Sequence, residues 1–490
     1  MAVTAVTPRR PLRVLVVNTS DAGGGAELTS WNVFQAVRRR GHQALMVVGR
    51  KKTADTNVVV LSRDAERNPW ARFWIALGDR MQAVERRIPG GTRVRDGVYW
   101  ASEPLRWAEL ALGHEDVHYP ATRAFFEQQP FDIVHCFNLH GGYFDLRVLP
   151  HISRRCPVIL DLCDAWLLSG HCAHSLDCDR WKTGCGSCPD LARYPAVRRD
   201  GTAFNWRRKQ QLFAKSSFHV TAPSQWLIER ARESMLAPAM TESRVIPTGV
   251  DRLIFHPGDK RQARAGMGLP QDARILLFAA NLFHRNPYKD FDTVAEAVAA
   301  LGTRSHHEKV LLVALGGAGE SRCVGDAEIR FVPHVDRLED VATYYRAADM
   351  YLHAAHADTF PRVILEALAC GIPAIATGVG GIPEQIRALG SCADPTGLVV
   401  PPADAAAMAA AVEHLLANPV LCRTLGENAA RDAAVRFDLE RQVDVYLDWY
   451  ERLITPAASR ETTAAETGNA PPPGTSSRAG ARSIAARSCV

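Results

Sequence analysis

No run of apolar residues in this sequence approaches the ~20 that a membrane-spanning helix requires. The apolar stretch nearest the start, LRVLVV from Leu12, follows Arg9 and Arg10. It is too short for a signal-peptide core and suits a first strand instead. These two absences give the expectation of a cytoplasmic chain. A large excess of charge of one sign is missing as well. A net charge of +5 over 490 residues is too mild to argue for nucleic acid, so no such partner is expected. A basic face could still meet an anionic membrane or an anionic ligand. Missing too is a G-x-G-x-x-G spacing in the first glycine loop (NTSDAGGGAE, residues 18–27), which argues against NAD. Cysteine, by contrast, is not scarce. Seven of the twelve fall between Cys136 and Cys188, which points to one local cause rather than a general disulfide framework.

Length allows two domains or more, each with material for a full core. The chain is organised around residues 351–386, YLHAAHADTFPRVILEALACGIPAIATGVGGIPEQI. A short apolar run predicts a buried strand, and HADTFP a loop. Pro361 suits the first turn of a helix, RVILEALAC, which Gly371 caps and Pro373 ends. A second strand, a loop carrying Gly378, Gly380 and Gly381, and a second helix follow. Such a unit leaves backbone N–H groups and a positive dipole end at one rim, which suits a phosphate. Asp358 and Glu366 frame that rim with seven residues between them.

In this stretch the chain resembles the retaining glycosyltransferases of family 4, which carry an acid, seven residues and a glutamate inside E-x-F-[PG]-x4-E-A-x-A-x-G-x-P. Here the string reads D-T-F-P-R-V-I-L-E-A-L-A-C-G-I-P, with Asp358 for the usual glutamate. The resemblance implies an α/β GT-B fold, two Rossmann-like domains facing across a cleft. It also implies that Asp358 contacts donor-sugar hydroxyls and Glu366 the nucleotide ribose, with Phe360 and Pro361 beside them. Gly24 and Gly25 match a glycine loop that faces the cleft. Lys289 and Arg285 match the cations that grip the donor diphosphate, and His334 and Val335 fall in the loop beside the base.

The string NLHGGY (138–143) and then LCDAW (162–166) is similar to a subgroup of that family with N-x-H-G-G-Y followed by L-H-D-M-W. His140 and Asp164 are kept and assigned to the reacting centre, whereas Cys163 stands where the subgroup has a histidine. His135 is read as a buried strand residue. Cys172, Cys178, Cys185 and Cys188, with His171 and His174 nearby, match the subgroup's cysteine string. A structural zinc is slightly favoured there, with disulfides and free thiols as open alternatives. Catalysis itself needs no cofactor on this reading.

Residues 1–250 are expected to form an acceptor-side domain, 251–436 a nucleotide-sugar domain, 437–454 a helix returning to the first domain, and 455–490 a disordered tail. Arginines interleaved with Trp70, Phe73 and Trp74 predict a helix from Pro69 to Arg87. Inward packing of its aromatics is favoured over contact with the inner membrane face. The resemblance thus implies transfer of a sugar from a nucleotide-sugar donor to a hydroxyl of a saccharide, lipid-linked glycan or small metabolite. The alternatives are an inactive relative that binds a sugar nucleotide or partner, and a GT-B sugar-nucleotide epimerase.

Overall fold

The computed structural model of the chain describes residues 10–61, 67–82, 91–115, 118–281, 283, 286–303, 309–317 and 319–455. Arg285, residues 83–87 of the expected basic helix, and the tail from 456 on lie outside the described residues.

Strands β1 (Arg13–Ser20), β2 (Gln43–Arg50), β3 (Val58–Val60), β4 (Ile133–Cys136), β5 (Val158–Asp161), β6 (Phe218–Ala222) and β7 (Met240–Val245) form the first sheet. Its order is β3-β2-β1-β4-β5-β6-β7, and every pair is parallel. Helices cover both faces of such a sheet, so its central strands read as continuous apolar runs. Val17, Leu160 and Val220 pack into one layer, and Val16, Ile159 and Phe34 into the other. The second sheet holds β8 (Arg274–Ala279), β9 (Val310–Leu315), β10 (Arg322–Val324), β11 (Ala327–Val332), β12 (Met350–His353), β13 (Ala374–Thr377) and β14 (Gly397–Val400). Its order is β10-β11-β9-β8-β12-β13-β14, with only β10–β11 antiparallel.

In each sheet the direction of winding reverses once, between β1 and β4 and between β8 and β12. Loops that leave the carboxyl ends of strands at such a point diverge and open a crevice. The loops after β1, β8 and β12 line the cleft between the two halves, together with residues just after β5, β6, β9 and β11.

Two strands of backbone cross between the halves side by side, Val250 pairing with Asp438. Gly249 is required there by contact, because a Cβ would sit 2.5 Å from the Leu439 Cα. The helix Leu439–Ile454 then packs on the first domain. Tyr446 donates to Asp161 Oδ2 at 2.6 Å and Trp449 Nε1 to Glu242 Oε2 at 2.8 Å. Trp449 is fully buried, and truncating it to alanine is expected to cost ~3–5 kcal/mol. His135 is buried in β4 against Tyr450, 2.6 Å from its hydroxyl.

The helix Pro69–Gln82 corrects one expectation. Its buried residues are Ala71 and Gly78, while Trp70 and Phe73 are 57% and 61% exposed. The glycine decides this, since Tyr99 of the neighbouring helix packs directly onto the Gly78 backbone and selects the small-residue face. Among the described residues no single helix is long and apolar enough to cross a membrane. The pair 405–416 and 419–436 passes by length and composition together but is bent by 101°.

Candidate functional site

A cavity of about 420 Å³ lies between the two halves. Its walls include Gly23–Gly25 and Cys163 from the first domain and Lys289, Asp358 and Glu366 from the second. Lys289 reaches it because the loop after β8 is stitched to the loop after β12. Lys289 pairs with Ala355, and His356 N donates to Tyr288 O at 2.9 Å. Lys289 Nζ then lies 2.5 Å from Asp358 Oδ2. His353, the last residue of β12, stands 3.7 Å from the same oxygen. Burial alone would push the Asp358 carboxyl up, but the Lys289 ammonium and the His353 ring hold it well below the usual carboxylate range. Burial and the same ammonium bring His353 down to about 4, so it is neutral at neutral pH.

The glycine loop after β13 packs against this carboxylate's own backbone. Gly380 has φ +57°, and a Cβ there would lie 1.8 Å from the Asp358 carbonyl oxygen. No other residue type allows that approach. The G-V-G-G string therefore serves to bring one loop onto another, and the helix after it is only Ile382–Gln385.

Glu366 lies on the helix Arg362–Ala369, buried, and accepts from the Tyr345 hydroxyl at 3.2 Å. Burial raises its carboxyl even with Arg362 nearby. Phe360, Pro361, Gly24, Gly25, His334 and Val335 all line the same cavity. Gly25 and Phe360, 335 positions apart in the chain, are thus brought together.

His140 and Asp164 form a pair, Nε2 to Oδ2 at 2.9 Å, but neither is among the residues lining that cavity. Burial draws His140 down, and the Asp164 carboxylate outweighs it, so the imidazole ends above its ordinary value. Cys163 does line the cavity. Burial, with Asp161 and Asp164 near, pushes its thiol well above the normal range, so it stays protonated at neutral pH. The loop that carries Asp164 is braced from below by Lys209. This fully buried ammonium donates to Trp166 O at 2.9 Å, Ser169 O at 3.0 Å and Glu115 Oε1 at 3.1 Å, and sits 3.7 Å from the Trp166 ring centre.

Three contacts hold the halves together around the cleft. Thr359 Oγ1 donates to Cys163 O at 2.8 Å. Arg362 Nη1 donates to Gly249 O at 3.1 Å. Glu384 accepts from the backbone N–H groups of Gln225 and Trp226 at 2.7 and 2.8 Å, capping a helix of the other domain. Sequence reasoning passed over His353, Arg362, Tyr345, Lys209 and Glu384. Only the P-E at the end of the glycine string hinted at Glu384, and the others carry no local signal.

Cys172, Cys178, Cys185 and Cys188 share the wall of one small cavity with His171, whose Nε2 is 3.4 Å from Cys188 Sγ. All four are free thiols, and burial raises Cys185 to about 12. Among the described residues no three His, Cys, Asp or Glu side chains are posed to hold a metal ion.

The family model "Glycosyl transferases group 1" matches residues 259–432. Curated relatives include the D-inositol 3-phosphate glycosyltransferases of Mycobacterium tuberculosis and Mycobacterium bovis. Each is 35% identical over 228 residues, covering 43% of this chain and 44% of the relative. The chain thus spans less than half the length of the curated relatives it matches. Solved structures share the fold across nearly the whole chain. Sucrose-phosphate synthase from Thermosynechococcus elongatus has a TM-score of 0.59 at 18% identity, covering 93% of this chain and 100% of that one. HepE of Anabaena in complex with UDP-glucose has a TM-score of 0.54 at 16% identity, covering 89% and 99%. The catalytic domain of starch synthase IV from Arabidopsis thaliana, bound to ADP and acarbose, has a TM-score of 0.56 at 13% identity, covering 91% and 100%. The fold is therefore GT-B: two mostly parallel α/β sheets with a cleft between them.

Proposed function

We propose that this chain is a retaining glycosyltransferase that moves a sugar from a nucleotide-sugar donor to a hydroxyl acceptor. The donor lies against the second domain and the acceptor enters from the first. The observation that carries the reading is the convergence of Lys289, Asp358 and Glu366 on one interdomain cavity. Lys289 stabilises the charge that develops on the leaving diphosphate. Asp358, held ionised, accepts hydrogen bonds from donor-sugar hydroxyls, and Glu366 meets the ribose. The acceptor oxygen attacks the anomeric carbon from the face the diphosphate leaves, and its proton passes to that diphosphate. The His140–Asp164 pair orients the acceptor from the first domain, without lining the donor cavity. The similarity to the group 1 family model over 259–432 supports the donor side of this reading. The exposed Trp70 and Phe73 support a lipid-linked acceptor presented at a membrane surface, with peripheral contact there.

Cys163 favours a second reading, an inactive relative that binds a sugar nucleotide without turning it over. Incubation with UDP-, GDP- and ADP-sugars separates the two. Slow release of nucleotide from one donor, with the sugar retained in the α configuration by NMR, supports the transferase. Binding without release supports the inactive relative.

A further inference from the structure

Two helices present uncapped N-termini to the interdomain cavity, one from each half. Gly25–Arg39 starts after Gly24 and Arg362–Ala369 after Pro361, and neither start receives a side-chain cap. Helix N-termini favour negative charge. Between them lies the guanidinium of Arg362. Its side chain is 9% exposed, and its Cδ would be 3.5 Å from a Cβ placed on Gly25. A guanidinium has five N–H donors. Nη1 serves Gly249 O at 3.1 Å and Thr29 Oγ1 at the long distance of 3.5 Å. Buried Nε has no hydrogen-bond partner, and the nearest carboxylate oxygen, Glu366 Oε1, stands 3.9 Å away, beyond hydrogen-bond reach. A buried cation left so incompletely bonded is costly unless an anion joins it. The cavity-lining ammonium of Lys289 is already engaged at 2.5 Å by Asp358.

We infer that Arg362 is a donor-binding residue: its guanidinium takes an oxygen of the donor diphosphate while staying bonded to Gly249 at the crossover. This rests on the nucleotide-sugar reading above and adds to it a cation that the family resemblance does not supply. It also links occupancy to shape. Gly249 lies where the chain passes between domains, so a diphosphate held by Arg362 ties the second domain to the crossover and to the first helix of the other half.

The test is calorimetric binding to the full chain, comparing UDP, GDP and ADP with uridine, guanosine and adenosine. The wild type is compared with Arg362→Gln and Arg362→Lys. For whichever diphosphate the wild type binds, Arg362→Gln is expected to lose about tenfold or more in diphosphate affinity. That is the scale of a charge-assisted hydrogen bond. Affinity for the matching nucleoside should stay within about twofold, and Arg362→Lys should fall between, since it keeps the charge but not the fork. An equal loss for nucleoside and diphosphate would make Arg362 a structural clamp and overturn the inference. So would an unchanged diphosphate affinity. If Arg362→Gln does not fold, Arg362→Lys decides by the same comparison. A wild type that binds none of the three diphosphates would sink the donor reading itself, and the role of Arg362 with it.

Discussion

Lys289 Nζ and Asp358 Oδ2 are 2.5 Å apart, from residues 69 positions distant in the chain, and both side chains are largely buried. Removing one partner of such a pair leaves an uncompensated charge. Lys289→Met is expected to lower stability by about 3 kcal/mol and abolish transfer. The double variant Lys289→Met with Asp358→Asn should recover most of the stability and none of the activity. Urea denaturation and a donor-turnover assay read the two effects separately. Equal stability of the single and double variants would show that the pair matters to chemistry alone.

His353, packed beneath that pair, predicts a pH dependence. Its value in the folded chain is about 4, against the ordinary 6.5, because it is buried beside Lys289. The unfolded chain therefore binds the extra proton more readily, and stability falls as pH drops from 6.5 toward 4. His353→Gln should flatten that part of the pH profile in urea titrations. Asp358 has its value lowered, so its contribution is present above the ordinary carboxylate range and is lost only at more acidic pH.

The His140–Asp164 pair has the opposite sign. A histidine whose value is raised on folding stabilises below its unfolded value, and the effect disappears as pH rises through the folded one. Asp164→Asn keeps an acceptor for the Trp166 N–H but removes the charge, so it should destabilise more at pH 6 than at pH 9. NMR titration should show His140 dropping below the ordinary histidine value in that variant, because burial and the Lys209 ammonium then lower it against Glu115 alone. An unmoved titration would mean that the ring and carboxylate do not interact in solution.

Glu384 closes the cleft from the far side by capping a helix of the other domain. Glu384→Ala is expected to cost ~0.5–2 kcal/mol, the range for a lost N-terminal cap. It should also raise the radius of gyration seen by X-ray scattering. Weaker donor binding with an unchanged scattering profile would place its role elsewhere.

Cys163→His puts back the residue type that the resembled subgroup has at this position. The larger ring enters a packed wall and should lower stability by ~1–3 kcal/mol. If this position limits the reaction, turnover rises all the same. A folded variant with no gain would free the site of any acid–base duty.

What local sequence determined here is the order of strands and helices and the strand–loop–helix unit around Asp358 and Glu366. Apolar runs such as VILD and VLLVAL leave few options other than buried parallel strands, and Gly371 with Pro373 ends a helix wherever it packs. Asp358, Phe360, Pro361 and Glu366 were legible as one group because their spacing within one loop and one helix turn carries the pattern. Tertiary structure alone decided which distant groups share the cavity. Lys289 faces Asp358 because two loops are stitched together at Ala355, and Arg362 matters because the other domain supplies Gly249 and Thr29. It also decided which face of Pro69–Gln82 is buried, since Tyr99 lies on Gly78. Charge pairing and close approach act through space, across separations that no periodicity in the chain records.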